Sequence, residues 1–261
     1  MTAQLPPVLL VGCGRMGSAL LAGWRERGIS QAFAVDPLTD GDASVVADVA
    51  ALPAGFAPAA VVLAVKPQTA DVALPPVARF AGSAVFLSIM AGRTVAGLRS
   101  ALGGAVVRAM PNTPAAIRRG ISVAYAGPGV TAGQRELCDK LLAAVGEVAW
   151  TDDEGQLDAV TALSGGGPAY VFLLAELLER AGVAQGLPRD LARRLARTTV
   201  SGSGALLAAS DEDAAALRRA VTSPAGTTER ALNVLMDEAA WPALMDRAIA
   251  AATERSRELA G

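Results

Sequence analysis

The segment from Val8 to Arg27 constrains this chain more tightly than any other. Val8–Val11 is a short apolar run, Gly12-Cys-Gly14-Arg-Met-Gly17 follows at once, and Ser18–Arg27 has helical spacing that Gly28 can stop. A G-x-G-x-x-G set between a strand and a helix demands a particular local geometry. The first glycine makes the tight turn, the second lets a pyrophosphate approach the backbone, and the third lets the helix pack on the strand. The helix start then offers free N–H groups and the positive end of its dipole to phosphates. The plain alternative is a glycine-rich turn with no ligand, but strand, helix and second strand all fall in register for the binding motif.

The same alternation continues downstream. Ala32–Val35, Ala59–Val65, Ala84–Ile89, Ala105–Ala109 and Ile121–Tyr125 read as further strands, and Ala59–Val65 has the unbroken apolarity of a buried parallel strand. Asp71–Phe80, Thr94–Leu102 and Thr131–Val145 read as helices between them. This order predicts an α/β fold with a doubly wound parallel sheet. After about Trp150 the strands stop. Pro168–Ala181, Pro188–Ala209, Asp211–Val221, Thr228–Glu238 and Pro242–Leu259 are helix-length, and three of them begin on a proline near the first helical position. The expected organisation is a dinucleotide-binding domain over residues 1–151 and an all-α domain over 152–261. The apolarity of the second predicts a face buried against another subunit, a compact monomeric bundle being the alternative. Small residues at Ser201-Gly-Ser-Gly-Ala205 predict a very close helix–helix approach.

Composition removes several chemistries. The chain has no histidine, so it holds no Ser-His-Asp or Cys-His nucleophile and no imidazole acid. The same lack removes most zinc sites, and no metal is expected. Its formal charge is -2 with no run of like charges, which argues against nucleic acid or an anionic membrane as partner. Apolar stretches such as Val49–Val65 are broken by Pro and Gly, so none reads as a membrane span. Cys13 and Cys138 fit no disulfide or metal spacing, and Met1–Pro7 has no basic start before an apolar core. A reducing, cytoplasmic location is the expectation.

Several strand ends carry candidate contacts. Asp36 closes the second strand, where an acid can bond the adenosine ribose hydroxyls and repel a 2′-phosphate. No Arg or Lys occurs from Asp36 to Asp48, and Arg15 is the nearest base in the turn. NADH is therefore favoured over NADPH; the alternative is that Asp36 caps a turn before Pro37. Lys66, one of only two lysines, sits in Val65-Lys-Pro67-Gln beyond a buried strand, where ligands of open α/β sheets lie. Ser88–Gly92, with Ile89, Met90 and Ala91, and Arg108–Pro114, with Asn112, end later strands in the same way. In the helical part, Ala162–Tyr170, with Ser164, and Ser223–Thr228 read as loops feeding helices, with hydroxyls and bare N–H groups suited to an anion. Ordinary N-capping is the alternative.

Taken in order, Gly12–Gly17, Val65–Gln68, Ser88–Gly92, Met110–Pro114, Ser164–Tyr170 and Ser223–Thr228 resemble the pyrroline-5-carboxylate reductase family over almost the whole chain. The resemblance implies a Rossmann domain followed by a helical dimerisation domain, in dimers that often assemble into rings. It implies reduction of the C5 imine carbon of 1-pyrroline-5-carboxylate by NADH or NADPH to give L-proline. The expected cofactor residues are Gly12, Cys13, Gly14, Arg15, Met16, Gly17, Asp36, Val65, Lys66, Pro67, Ile89, Met90, Ala91 and Asn112. Ser164, Asp211, Ser223, Gly226, Thr227 and Thr228 would meet the substrate. Thr228 matches a hydroxyl that bonds the ring nitrogen, and Lys66 is a further catalytic candidate. The chain departs from the family at Ser164-Gly-Gly166-Gly, where a second serine is common, and at Ala225, where glycine is usual. Ala215-Ala-Leu-Arg-Arg219 also lacks a Lys-Asp pair often seen there. Three rivals remain. A β-hydroxyacid dehydrogenase needs a lysine in its helical domain, and none follows Lys140. A noncatalytic dinucleotide sensor would leave the paired loops without a substrate. A reductase of another cyclic imine stays open.

Overall fold

The structure, a computed structural model, describes residues 5–29, 31–38, 42 and 44–260. Residues 1–4, and Asp40 in the acidic stretch after Asp36, lie outside the described residues. The chain divides into two compact units, residues 1–166 with 252–261, and residues 167–251.

The first unit is built on one eight-stranded sheet. Its strands are β1 (Val8–Val11), β2 (Ala32–Val35), β3 (Val45–Val46), β4 (Ala60–Leu63), β5 (Val85–Ser88), β6 (Val106–Met110), β7 (Gly120–Ala126) and β8 (Gly146–Thr151), in the order β3-β2-β1-β4-β5-β6-β7-β8. The chain winds outward from β1 in both directions, so helices cover both faces. Helix α1 (Arg15–Glu26) packs Leu20, Leu21 and Trp24 on one face, beside Cys138, Leu141 and Leu142 of the helix over Ala132–Ala143. Helices α2 (Ala70–Val77) and α3 (Val95–Leu102) cover the other with Leu74, Val77, Val95 and Leu98. The Ala132–Ala143 helix is α4. Each strand of this interior is hydrophobic on both faces, which is why β1, β4 and β5 read as unbroken apolar runs.

Two features differ from the parallel sheet expected. β6 and β7 are antiparallel, while β7 and β8 are parallel. Only Pro111–Arg119 joins β6 to β7, and a parallel crossover needs a dozen or more residues, so the chain can only double back. β3 and β8 were not expected. β3 has two residues, and β8 is an edge strand whose exposed Glu147 and Ala149 break up its apolar pattern.

The first unit continues past the expected boundary at 151/152. Helix α5 (Gln156–Val160) stays with it because Leu157 is fully buried and Asp158 accepts a hydrogen bond from Ser256 at 2.7 Å. The segment Ala162–Tyr170, expected as a loop, is not one. The backbone passes from α5 through a π turn at Thr161–Gly165, closed by Gly166 N–H to Thr161 O, into α6 (Gly167–Ala184). The resulting run Gln156–Ala184 is long and apolar enough to cross a membrane by length and composition, a span the sequence reading missed because it placed a break there.

The second unit continues with α7 (Arg189–Ala209), α8 (Ala214–Ala220), α9 (Thr227–Leu235) and the start of α10 (Trp241–Ala260). α6 and α7 form its tightest hairpin. A Cβ at Gly182 would lie 3.2 Å from the Ala192 Cβ, and Ala192 is buried. The expected close approach at Ser201–Ala205 is not made among the described residues of the chain: nothing there lies within 4 Å of a Cβ at Gly202 or Gly204. Large apolar side chains remain exposed along α6 to α10, among them Phe172 (69 %), Leu206 (68 %) and Val234 (70 %).

Candidate functional site: a dinucleotide crevice and an open helix start

β1 lies between β2 and β4, so the sheet reverses direction beside the C-terminal ends of β1 and β4. Open α/β sheets bind ligands outside the strand ends at such a reversal. Gly12–Gly17 sits there, and its three glycines serve different ends. Gly12 has φ +94°, and a Cβ would fall 2.8 Å from the Ala64 carbonyl carbon, so the turn and the approach to β4 both need glycine. A Cβ at Gly17 would collide with the Gly12 carbonyl oxygen at 2.1 Å. At Gly14 nothing lies within 4 Å of a Cβ, so no protein packing calls for glycine there. Gly14 is the N-cap of α1, and no side chain caps the helix. The N–H groups of Arg15, Met16 and Gly17 head the helix beneath open space, which fits a pyrophosphate.

Asp36 does both things considered for it. Its Oδ2 accepts the Cys13 N–H at 2.7 Å, fastening the end of β2 to the glycine-rich turn, and its Oδ1 accepts the Leu38 N–H at 2.9 Å, capping the turn. Burial pushes the Cys13 thiol up from its ordinary pKa, and the Asp36 and Asp42 charges push it further, so the thiol stays protonated. Nearby, Asp42 pairs with Arg25 at 2.8 Å and accepts the Ser44 N–H. The Ser44 N–H, then the Arg25 guanidinium and the Ser44 hydroxyl, hold its carboxyl down at about 2. Burial drives the Cys138 thiol up to about 12, which makes it inert packing.

Beyond β4, Val65 and Pro67 are half-buried, and Lys66 is exposed with no ion-pair partner among the described residues. Beyond β5, Ile89 and Ala91 are half-buried but the Met90 side chain is buried in the core with Val95 and Leu98. The Met90 N–H is taken as well, donated to the Ser88 Oγ at 3.3 Å. Gly92, at φ +67°, lies so close to the end of α10 that a Cβ would sit 2.7 Å from the Leu259 carbonyl oxygen. Around it, Pro67, Gln68, Arg93, Thr94 and Leu259 line a cavity of about 400 Å³. Beyond β6, Asn112 is committed to the protein. Its Oδ1 accepts the Ile121 N–H at 3.0 Å and its Nδ2 donates to the Ser164 Oγ at 3.1 Å. The π turn carries Ser164 to this contact, and π turns recur where a helix is bent to functional use. Because the backbone here is helical, its N–H groups do not form the anion-receptive start expected of a loop.

In the second unit the other expected start does form. Gly226 caps α9 without a side-chain bond, leaving the N–H groups of Thr227 and Thr228 at the open end. The Ala225 N–H donates to Glu229 Oε2 at 2.9 Å, and Ala225 itself is left-handed at φ +57°, a conformation that favours glycine. Ser223 precedes it, its carbonyl accepting the Gly226 N–H at 3.0 Å. Asp211 is exposed between α7 and α8, and α8 is capped instead by Asp213, whose carboxylate accepts the Ala216 N–H at 2.6 Å. The sequence reading gave no role to Arg108 or Glu154, which form an ion pair at 3.0 Å between a buried guanidinium and a half-buried carboxylate. The signal was a lone charge inside the apolar run Ala105–Met110.

A family model for pyrroline-5-carboxylate reductase dimerisation matches residues 154–259. The pyrroline-5-carboxylate reductase of Pseudomonas aeruginosa is 41 % identical over 278 residues, covering 98 % of this chain and 97 % of that protein. A pyrroline-5-carboxylate reductase structure from Coxiella burnetii superposes with a TM-score of 0.89 at 30 % identity, over 99 % of this chain and all of that one. The Plasmodium falciparum pyrroline carboxylate reductase, solved with NADP bound, superposes with a TM-score of 0.82 at 28 % identity, over 98 % of this chain and 100 % of that one.

Proposed function

The chain belongs to the pyrroline-5-carboxylate reductase family, and on that premise we propose that it reduces 1-pyrroline-5-carboxylate to L-proline, the last step of proline biosynthesis. The observation that carries this is near-full-length identity to a reductase of that name, joined to a glycine-rich turn whose Gly14 is open toward a ligand. NADH or NADPH, when bound, supplies the hydride that adds to the C5 imine carbon.

The residues proposed for the dinucleotide are Gly12–Gly17, Asp36, Val65, Lys66, Pro67, Ile89, Met90, Ala91 and Asn112. In the glycine-rich turn, the N–H groups of Arg15, Met16 and Gly17 would hold the pyrophosphate, since those of Gly12 and Cys13 are donated to Val35 and Asp36. Asp36 faces the same turn, and its carboxylate disfavours a 2′-phosphate, so NADH is the preferred donor. Asn112 acts by fixing Ser164, because both ends of its amide are taken. The proposed substrate residues are Ser164 in the first unit and Asp211, Ser223, Gly226, Thr227 and Thr228 in the second. The open start of α9 suits the substrate carboxylate, with the helix dipole adding to the hydrogen bonds. The Thr228 hydroxyl bonds the ring nitrogen. No histidine is present to protonate the imine, so the substrate arrives protonated or draws its proton from solvent through Thr228. The residues then contribute mainly by holding C5 in place and excluding water. Lys66 stays a cofactor-side candidate, exposed beyond β4 and without an ion-pair partner among the described residues.

The exposed apolar face of the helical unit is proposed to be covered by a second copy in a homodimer or a ring of dimers, rather than by lipid. Both cysteines are free thiols, which suits the cytoplasm.

The test is NADH oxidation with purified protein and 1-pyrroline-5-carboxylate, repeated with NADPH. Turnover with L-proline as product is expected. Folded protein that binds NADH and consumes none would overturn the reading in favour of another imine or a sensing role. Thr228→Ala is expected to lower kcat by about 10²-fold, the scale of a positioned proton-transfer group, with NADH affinity retained.

A further inference from the structure

Arg108 lies inside β6, paired in register with Ser88 of β5 and Tyr125 of β7, and is 2 % exposed. A guanidinium has five N–H donors, and among the described residues only Nη1 has a protein acceptor: Nε and Nη2 are buried without partners there. That acceptor, Glu154 Oε1, lies 3.0 Å away. The same oxygen also accepts the N–H of Val95, the first residue of α3, at 2.8 Å. One carboxylate oxygen thus holds a buried cation and caps a helix.

Its position explains why this matters. Val95 follows the Ile89–Arg93 turn, Arg108 precedes Asn112 by four residues, and Glu154 opens the segment that ends at Ser164. Asn112 and Ser164 bond each other at 3.1 Å, so the two segments are joined by two rungs, one ionic and one neutral. Ile89, Ala91 and Ser164 are among the residues proposed above to meet cofactor or substrate, and Asn112 fixes Ser164. The Glu154 carboxylate is the point at which their three segments are fastened together.

We propose that Glu154 and Arg108 are positioning residues for the imine reduction, setting the Ile89–Arg93 turn and the Asn112–Ser164 contact in catalytic register. The proposal rests on the reading in the preceding subsection. A purely structural ion pair would act on stability alone, whereas a positioning pair acts on turnover in protein that is still folded.

Four proteins decide it: wild type, Glu154→Gln, Glu154→Ala, and Arg108→Met combined with Glu154→Ala. Gln keeps the accepting oxygen for Val95 and Arg108 and should hold kcat within about three-fold of wild type. Ala should lower kcat by about 10²-fold, the scale of an ångström-sized misplacement, while the NADH dissociation constant changes far less. The double variant removes the orphaned buried charge, so its Tm should recover relative to Glu154→Ala, yet its kcat should stay low. Recovery of kcat together with Tm, or wild-type kcat in Glu154→Ala, overturns the proposal. Amide hydrogen exchange supplies a readout independent of the reaction. Peptides covering 89–95 and 158–166 should exchange faster in Glu154→Ala while β1 and α1 do not change. Unchanged exchange in both peptides also overturns it. A wild type inert toward 1-pyrroline-5-carboxylate would sink the reaction assigned to the site, and the exchange result would still decide the positioning role.

Discussion

The two units of this chain meet water in opposite ways. The sheet unit buries its own interior: Trp24, Phe86, Leu9, Leu10, Leu63 and Leu141 are among its fully enclosed side chains. In the helical unit, residues 167–251, only Ala192 and Ala196 are buried. Both are rich in leucine and valine, so hydrophobicity does not separate them; the number of covering layers does. A twisted sheet with helices on both faces encloses its core. A few helices strung along one chain leave most of their apolar stripes unmatched, and exposed apolar faces of that extent mark an interaction surface.

The largest expected effect tests that contrast. Phe172→Glu with Leu206→Glu should convert the protein to monomers in sedimentation velocity and abolish turnover. Each apolar side chain recurs in a two-fold interface, so the pair forfeits on the order of 6–12 kcal/mol of burial. A variant that keeps its wild-type size breaks the second-copy reading. In the sheet unit, glycines needed by the fold should part from the one needed by the ligand. Gly17→Ala meets a backbone oxygen and should cost several kcal/mol, about the scale of an overpacked core, seen as a fallen Tm. Gly14→Ala meets nothing and should leave Tm unchanged while weakening NADH binding about ten-fold or more in a fluorescence titration. Equal Tm losses would show that both glycines serve packing.

Two smaller effects sharpen the picture at the edge of the sheet unit. Asp36→Ser should shift the kcat/KM ratio toward NADPH by about ten-fold, roughly 1.4 kcal/mol. An unchanged ratio would leave Asp36 only its bonds to Cys13 and Leu38. Asp42→Asn should matter least. The folded carboxyl of Asp42 is depressed to about 2, so its contribution is present above the ordinary value of 3.8 and lost as pH falls toward 2. The pair with Arg25 is solvent-exposed, which holds the difference under about 1 kcal/mol. Urea titrations at pH 7 and pH 3 should show wild type and variant converging as the pH drops.

How far the site was legible depends on how local each signal is. Gly12–Gly17 was readable because turn, phosphate approach and helix packing each act within six residues. The α9 start was readable for the same reason, since Ser223–Thr228 caps its own helix. At Ser164 the local setting differs from the expectation: Gly165, Gly166 and Pro168 suggest a loop, whereas a π turn at Thr161–Gly165 keeps the backbone helical. Met90 falls among the expected cofactor contacts, yet the core claims its side chain. Arg108 and Glu154 carried no legible pairing, being 46 positions apart with no periodicity to link them.

The sequence alone determined the βαβ order, the helical C-terminal half, and the absence of imidazole chemistry, because composition, periodicity and turn residues are local properties of a chain. Only the tertiary structure decided that β7 runs antiparallel to β6, that Asn112 spends its amide on Ile121 and Ser164, and that one oxygen of Glu154 joins three segments. Each of these depends on which distant groups share a buried space. Burial sets that partnership, because a polar group removed from water must find an acceptor or donor wherever the fold supplies one.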